Sequence, residues 1–154
     1  MKTTLRLILM IFAVGISTLA QDPQSTNPPK PPAKQKVIVT AAQANGTYRY
    51  NQSEFRILAL GRNRLKVQFD GVYPTAGGSV NLGYAAGEAV IDGNIATFKP
   101  SDTEHCEITL IFLPNKLKVV QDGSDSDCGF GHNVFAGGNY RKVKSGKPKF
   151  EPPA

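Results

Sequence analysis

The residues with chemistry to offer cluster late in the chain. Cys106 and Cys128 are the only cysteines, and the only two histidines, His105 and His132, lie close to them. Between them, Asp122, Asp125 and Asp127 place three carboxylates within six residues. Such a constellation raises metal binding, acid–base work or a reactive thiol. Each meets a physical objection. Two histidines without a third positioned ligand make a weak metal site. The aspartates lack the D-x-[DN]-x-[DN]-G spacing and the distant glutamate of a calcium loop. Asp102 and Glu104 stand in a turn-like stretch with no evident partner, and no G-x-S-x-G, HExxH or phosphate-cradling glycine loop occurs. The expectation is therefore a protein without catalytic residues, metal or cofactor.

The fate of the two cysteines depends on compartment. Residues 1–20 place Lys2 and Arg6 before an apolar run from Leu7 to Ile16, then Thr18-Leu19-Ala20, a small-x-small pattern. That is the layout of a secretory signal peptide cleaved between Ala20 and Gln21. The apolar run is too short for a span, which needs ~20 residues, and no transmembrane segment is expected after processing. No cysteine adjoins the cleavage point, so the protein is not expected to be a lipoprotein. The destination is periplasmic or secreted. In an oxidising compartment two cysteines have one pairing, Cys106 with Cys128.

The elements that position these residues follow from composition and period. Residues 21–36 hold five prolines between Pro23 and Pro32 and read as an extended spacer. Residues 144–154 form a second basic, proline-rich end, leaving a domain at 37–143. Within it the hydrophobic period is two: Leu65, Val67 and Phe69 alternate with Arg64, Lys66, Gln68 and Asp70, and Ile108, Leu110 and Phe112 with Glu107, Thr109 and Ile111. Alternation of this kind marks half-buried strands. The runs are 47–50, 54–60, 64–72, 79–84, 87–91, 95–98, 106–112 and 116–121, with a ninth at 133–143 and a further short strand at 37–40.

Strands this short, joined by tight turns such as Asp92-Gly93, predict an all-β antiparallel meander of about eight to nine strands. Closing it into a barrel removes its edges. Gly46-Thr47-Tyr48 and Gly138-Asn139-Tyr140 place a glycine two residues before a tyrosine in the first and last strands, as if the two meet. A β-sandwich is the alternative. Tyr48, Phe55, Ile57, Leu65, Val67, Phe69, Ile95, Ile108, Leu110, Phe112 and Val119 compete for the interior, so a filled barrel is expected. Space for a small ligand is expected only where side chains are small, at Gly83, Ala85, Ala86, Gly87 and Ala89, giving a candidate pocket at Tyr84, Ala85, Ala86 and Gly87.

The most distinctive segment is Cys128-Gly-Phe-Gly-His-Asn-Val-Phe-Ala-Gly-Gly-Asn-Tyr140, preceded by Cys106-Glu-Ile-Thr-Leu-Ile-Phe and Leu117-Lys-Val-Val-Gln-Asp-Gly. Over residues 106–142 the chain resembles a recurrent domain of small exported bacterial proteins with a C-terminal CGFGxNVxxxGxY motif. That resemblance implies a lipocalin-like or lysozyme-inhibitor-like barrel and assigns no catalytic residue. The G-x-W of lipocalin first strands is replaced by Gly46-Thr47-Tyr48, and the chain has no tryptophan. Gly129 and Gly131 flank Phe130 at a corner where glycine permits sharp turning, and Phe130 is expected to plug the barrel end.

The functional expectation is a monomeric, exported, non-catalytic binding module whose partner is another exported or envelope protein, in one version as an inhibitor. Its contact residues are expected among Phe130, His132, Asn133, Asp122, Asp125 and Asp127. One alternative is a small-ligand carrier using the Tyr84–Gly87 space. Another is a tether to an anionic envelope polymer through the basic ends. The net charge of +6 does not point to nucleic acid, because it is not spread over the domain. Residues 37–140 carry eight basic and ten acidic side chains, whereas residues 141–154 carry five basic against Glu151 alone.

Overall fold

The computed structural model describes residues 38–152 with the exception of Asp102. The expected signal peptide (1–20), its cleavage point at Ala20 and Gln21, and the spacer (21–36) lie outside the described residues. Eight antiparallel strands form one closed barrel in sequence order: β1 (Gly46–Tyr50), β2 (Ser53–Gly61), β3 (Arg64–Pro74), β4 (Val80–Asp92), β5 (Ile95–Phe98), β6 (Glu107–Leu113), β7 (Lys116–Asp122) and β8 (Gly138–Ser145). β8 pairs with β1 to complete the ring, so the sandwich alternative is wrong.

The turns follow from the residues that make them. Arg62 and Asn63 both take positive φ (50° and 58°), the conformation whose twist matches right-handed strands. Pro114 presets the β6–β7 turn and Asn115 accepts the positive φ of 56° that follows.

Two expected strands, 79–84 and 87–91, are one. Ala85 and Ala86 continue the ladder opposite Phe69 and Gln68, so β3 and β4 form a hairpin paired from Arg64↔Val90 out to Pro74↔Val80. Small side chains weaken the period-two signal without breaking the backbone pairing. The short strand expected at 37–40 is absent from the described residues. Instead Thr40 caps a one-turn helix, α1 (Ala41–Ala44), in a reciprocal box with Gln43. The ninth run begins later than expected, at Gly138, because residues 133–137 belong to the corner that precedes β8.

The interior is filled. Phe55, Ile57, Leu65, Val67, Phe69, Phe98, Ile108, Leu110 and Leu117 are fully buried with Tyr48 and Tyr140. Ile95 is the exception among the expected core residues. It remains 46% exposed, because the Asp92↔Ile95 pairing turns Ala96 and Phe98 inward. The two tyrosines close the ring alike. Tyr48 donates its hydroxyl to Ala44 O (2.9 Å), and Tyr140 donates to Ala136 O (2.8 Å), each reaching the carbonyl four residues upstream. Burial pushes both phenols well above their ordinary value, so they act as hydrogen-bond donors throughout the physiological range.

Beyond β8 the chain turns at Gly146 and returns over the outside of the barrel. Glu151 N donates to Gln68 Oε1 (3.2 Å), and Lys66 Nζ lies 4.4 Å from the centre of the Phe150 ring. Gln68 is only 1% exposed although it points outward from β3.

Candidate functional site

The expected site residues gather at the barrel end that precedes β8. Cys106 and Cys128 form a disulfide, with Cα atoms 4.8 Å apart, fixing the corner to the start of β6. Between β7 and the corner, the short polar side chains hold the loop by capping its backbone. Asp127 Oδ2 accepts from Ser124 N (2.8 Å) and from the Ser124 hydroxyl (2.7 Å). Asp125 accepts from Ser126 N at Oδ1 (2.8 Å) and from Asn133 N at Oδ2 (2.6 Å). Phe130 N donates to Asp125 O (2.8 Å). The aspartates thus organise the loop that carries them.

These bonds hold the Asp125 and Asp127 carboxyls below their ordinary value. For Asp125 the Asn133 and Ser126 amides lead, with nearby His132 adding a smaller effect; for Asp127 the Ser124 hydroxyl and amide lead, with His105 contributing. A carboxyl with a lowered folded-state value stabilises the loop fully above its unfolded value, about pH 4. It loses that contribution as the pH falls through the lowered value. The Asn133 and Ser124 amide resonances should therefore titrate with midpoints below about pH 4. Midpoints at or above that value would show that the caps do not form.

His132 Nδ1 lies 3.7 Å from Asp125 Oδ2, whereas His105 influences Asp127. Among the described residues no three His, Cys, Asp or Glu side chains converge to hold a metal ion. Asp122 ends β7 opposite Glu107, outside the capped loop. His132, Asn133, Asp122 and Asp127 are exposed, and Asp125 is half-buried.

Phe130 is 7% exposed and packs on Phe69 with ring centroids 5.2 Å apart, as expected of a plug, so little of its ring is left on the surface for a contact. A Cβ on Gly83 would stand 3.0 Å from Phe130 Cγ and 2.7 Å from Val134 Cγ1. On Gly87 it would stand 3.0 Å from the Phe98 ring. The small residues expected to open a cavity instead admit Phe130, Val134 and Phe98. What remains beside Tyr84, Ala85 and Ala86 is an open surface recess of about 380 Å³ against Pro100, Thr103 and Gly129, without Gly87.

No family model, curated protein or solved structure matches this chain. The site must be interpreted from its own geometry.

Residues that the sequence did not single out complete it. Gln121 accepts from Ala136 N (2.7 Å) and donates to Gly123 O (3.1 Å), joining the two ends of the loop. Asn81 Nδ2 donates to His132 O (2.6 Å), and Gly131 N donates to Leu82 O (2.9 Å), binding the corner to the β3–β4 hairpin. Near the hairpin tip Tyr73, Val80 and Leu82 are exposed, as is Phe135 beyond the corner.

At the opposite barrel end, α1 and the β6–β7 turn bound a recess of about 290 Å³ lined by Val39, Ala42, Phe112, Pro114 and Lys142. Lys142 Nζ donates to Gln43 O and to Asn45 O (3.1 Å), and burial lowers its pKa. The ammonium is thereby committed to closing the helix C-terminus. No helix among the described residues is long and apolar enough to cross a membrane.

Proposed function

We propose that the protein is an exported, non-catalytic binding module that docks another protein through the corner and the β3–β4 hairpin. The carrying observation is the pair of bonds from Gly131 N to Leu82 O and from Asn81 Nδ2 to His132 O. They join two separate segments into one pre-organised platform. Val80, Leu82 and Phe135 supply about half-exposed apolar side chains, while His132, Asp122 and Asp127 supply a polar border. A surface ordered before binding loses little entropy on docking. The carboxylates favour a partner whose apolar contact face has a basic rim.

The disulfide supports the exported reading, since such bonds persist in oxidising compartments. Filling of the interior by aromatic side chains disfavours the small-ligand carrier. A lipocalin-like or inhibitor-like relationship is the finer form of this reading. In that form the target is a basic enzyme, and unchanged lysozyme turnover in excess protein would dismiss a lysozyme as that target.

The test uses the full chain as bait in envelope extract beside Val80→Ser/Leu82→Ser and His132→Ala. A stoichiometric partner that is captured by the native protein, lost with the hairpin variant and recovered as a binary complex from purified components supports the platform. Equal capture by all three proteins removes it.

A further inference from the structure

The outer face of the strands near closure carries an unusual charge pattern. Arg49 on β1 stands directly opposite Arg141 on β8, which stands directly opposite Lys116 on β7. Directly opposed like charges disfavour a sheet, so three cations in one cross-strand row, answered by Glu54 opposite Arg49, leave a net positive field. One step along, Thr47 is paired with Lys144.

The acids nearby are already engaged. Glu54 receives Arg49 at Oε2 (2.6 Å) and Arg56 at Oε1 (2.8 Å), and Arg56 also reaches Asp70. Both Glu54 oxygens are thus used to hold guanidinium groups in place. The returning C-terminal segment then closes a polar recess of about 460 Å³ over β1 and β2 and adds Lys147 and Lys149. Its lining holds five cations, Arg49, Arg56, Lys144, Lys147 and Lys149, against the carboxylates of Glu54 and Glu151. No aromatic side chain lines it.

We propose that this recess and the adjoining cation row bind a linear polyanion, a flexible chain with a phosphate or carboxylate at each repeat. Extension of the cations beyond the recess, through Arg141 to Lys116, favours a chain over a single small anion. Recognition of single-stranded nucleic acid draws on aromatic platforms for its bases, and none is present in the recess. Fixed guanidinium groups and the ammonium groups of Lys144, Lys147 and Lys149, the last 3.7 Å from Glu151, suit repeated oxyanions because the cations outnumber the carboxylates. Docking of the C-terminal segment turns a basic stretch of chain into one wall of a shaped site. This inference concerns a different face from the protein-docking platform and does not depend on it.

The experiment titrates the full chain with polyphosphate, polygalacturonate and single-stranded DNA matched in total charge, at low and raised ionic strength. Saturable, salt-sensitive binding of polyphosphate or polygalacturonate is expected, and the tighter of the two identifies the anion source. Lys147→Gln/Lys149→Gln should weaken it about tenfold. Arg62→Gln/Lys99→Gln removes the same charge elsewhere and should change it less than about twofold. Val80→Ser/Leu82→Ser should leave it intact, which separates this site from the docking platform. Equal weakening by the two charge pairs, tighter binding of the DNA, or no binding of either base-free polymer would overturn the proposal.

Discussion

Removing the disulfide, through Cys106→Ala/Cys128→Ala, is expected to lower the free energy of unfolding by about 3 kcal/mol. The bridge spans a sequence separation of 22 residues, and closing such a loop in the unfolded chain removes conformational freedom that folding no longer has to overcome. The enclosed loop contains the whole β6–β7 hairpin, and one end of the bridge sits at the corner leading into β8. Global stability and corner order should therefore fall together. The loss is a large fraction of the roughly 5–15 kcal/mol typical of a domain. Urea unfolding of the native and double-alanine chains would measure it, with a larger m-value expected for the variant because its unfolded state is more open. A shift below about 1 kcal/mol, against the few kcal/mol usual for such bridges, would mean that the bridge is incidental to the fold.

The second large effect concerns the plug. Phe130→Ala should destabilise the protein by about 3 kcal/mol, since it removes a nearly buried aromatic that packs on Phe69 and leaves space beside Gly83. Gly83→Ala should cost about 1–3 kcal/mol for the opposite reason, overfilling the same contact. Combined, the two changes should cost less than the sum of the single costs by at least about 0.5 kcal/mol. The methyl group added at residue 83 occupies volume that the lost ring vacates, and Val134 gains room to turn away. Strict additivity in a double-mutant cycle would show that Phe130 and Gly83 do not share a packing site. Tyr48 and Tyr140 hydroxyl environments, remote in bonding terms from this contact, provide a check that the rest of the barrel is unchanged.

The all-β meander could be read along the chain because each strand states its own inward face. In Leu65-Lys66-Val67-Gln68-Phe69, period two alone assigns three residues to the interior, and the structure agrees. Closure was foreshadowed by Gly46 and Tyr48 matching Gly138 and Tyr140. The two strands do pair, and the two tyrosines make corresponding bonds. The disulfide was legible because two cysteines allow one partner choice. Ile95 was misplaced because the phase of a four-residue strand depends on the turn before it, and apolarity does not reveal that turn.

The candidate site was only partly legible. The aspartate-rich loop and the CGFG corner stood out by composition, but the roles of their residues depend on geometry. Phe130 moved inward because Gly71 and Gly83, on two other strands, left room for Val134 and the ring. Asp125 became a cap because Asn133, eight residues later, returned to it. Asn81 joined the site from 51 residues before His132, with no motif to announce it.

The sequence by itself determined the all-β alternation, the inward faces of the longer strands and the cysteine pair, since these depend on neighbouring residues or on elimination. Tertiary structure alone decided where the C-terminal lysines lie. Residues 146–151 carry lysines that look like a loose basic end, yet Glu151 meets Gln68 across 83 residues of chain. Hydrophobic period reports the side of a strand that faces the core, but not what covers its outer side. That covering depends on where a distant segment returns, and here its return builds a cationic recess over β1 and β2.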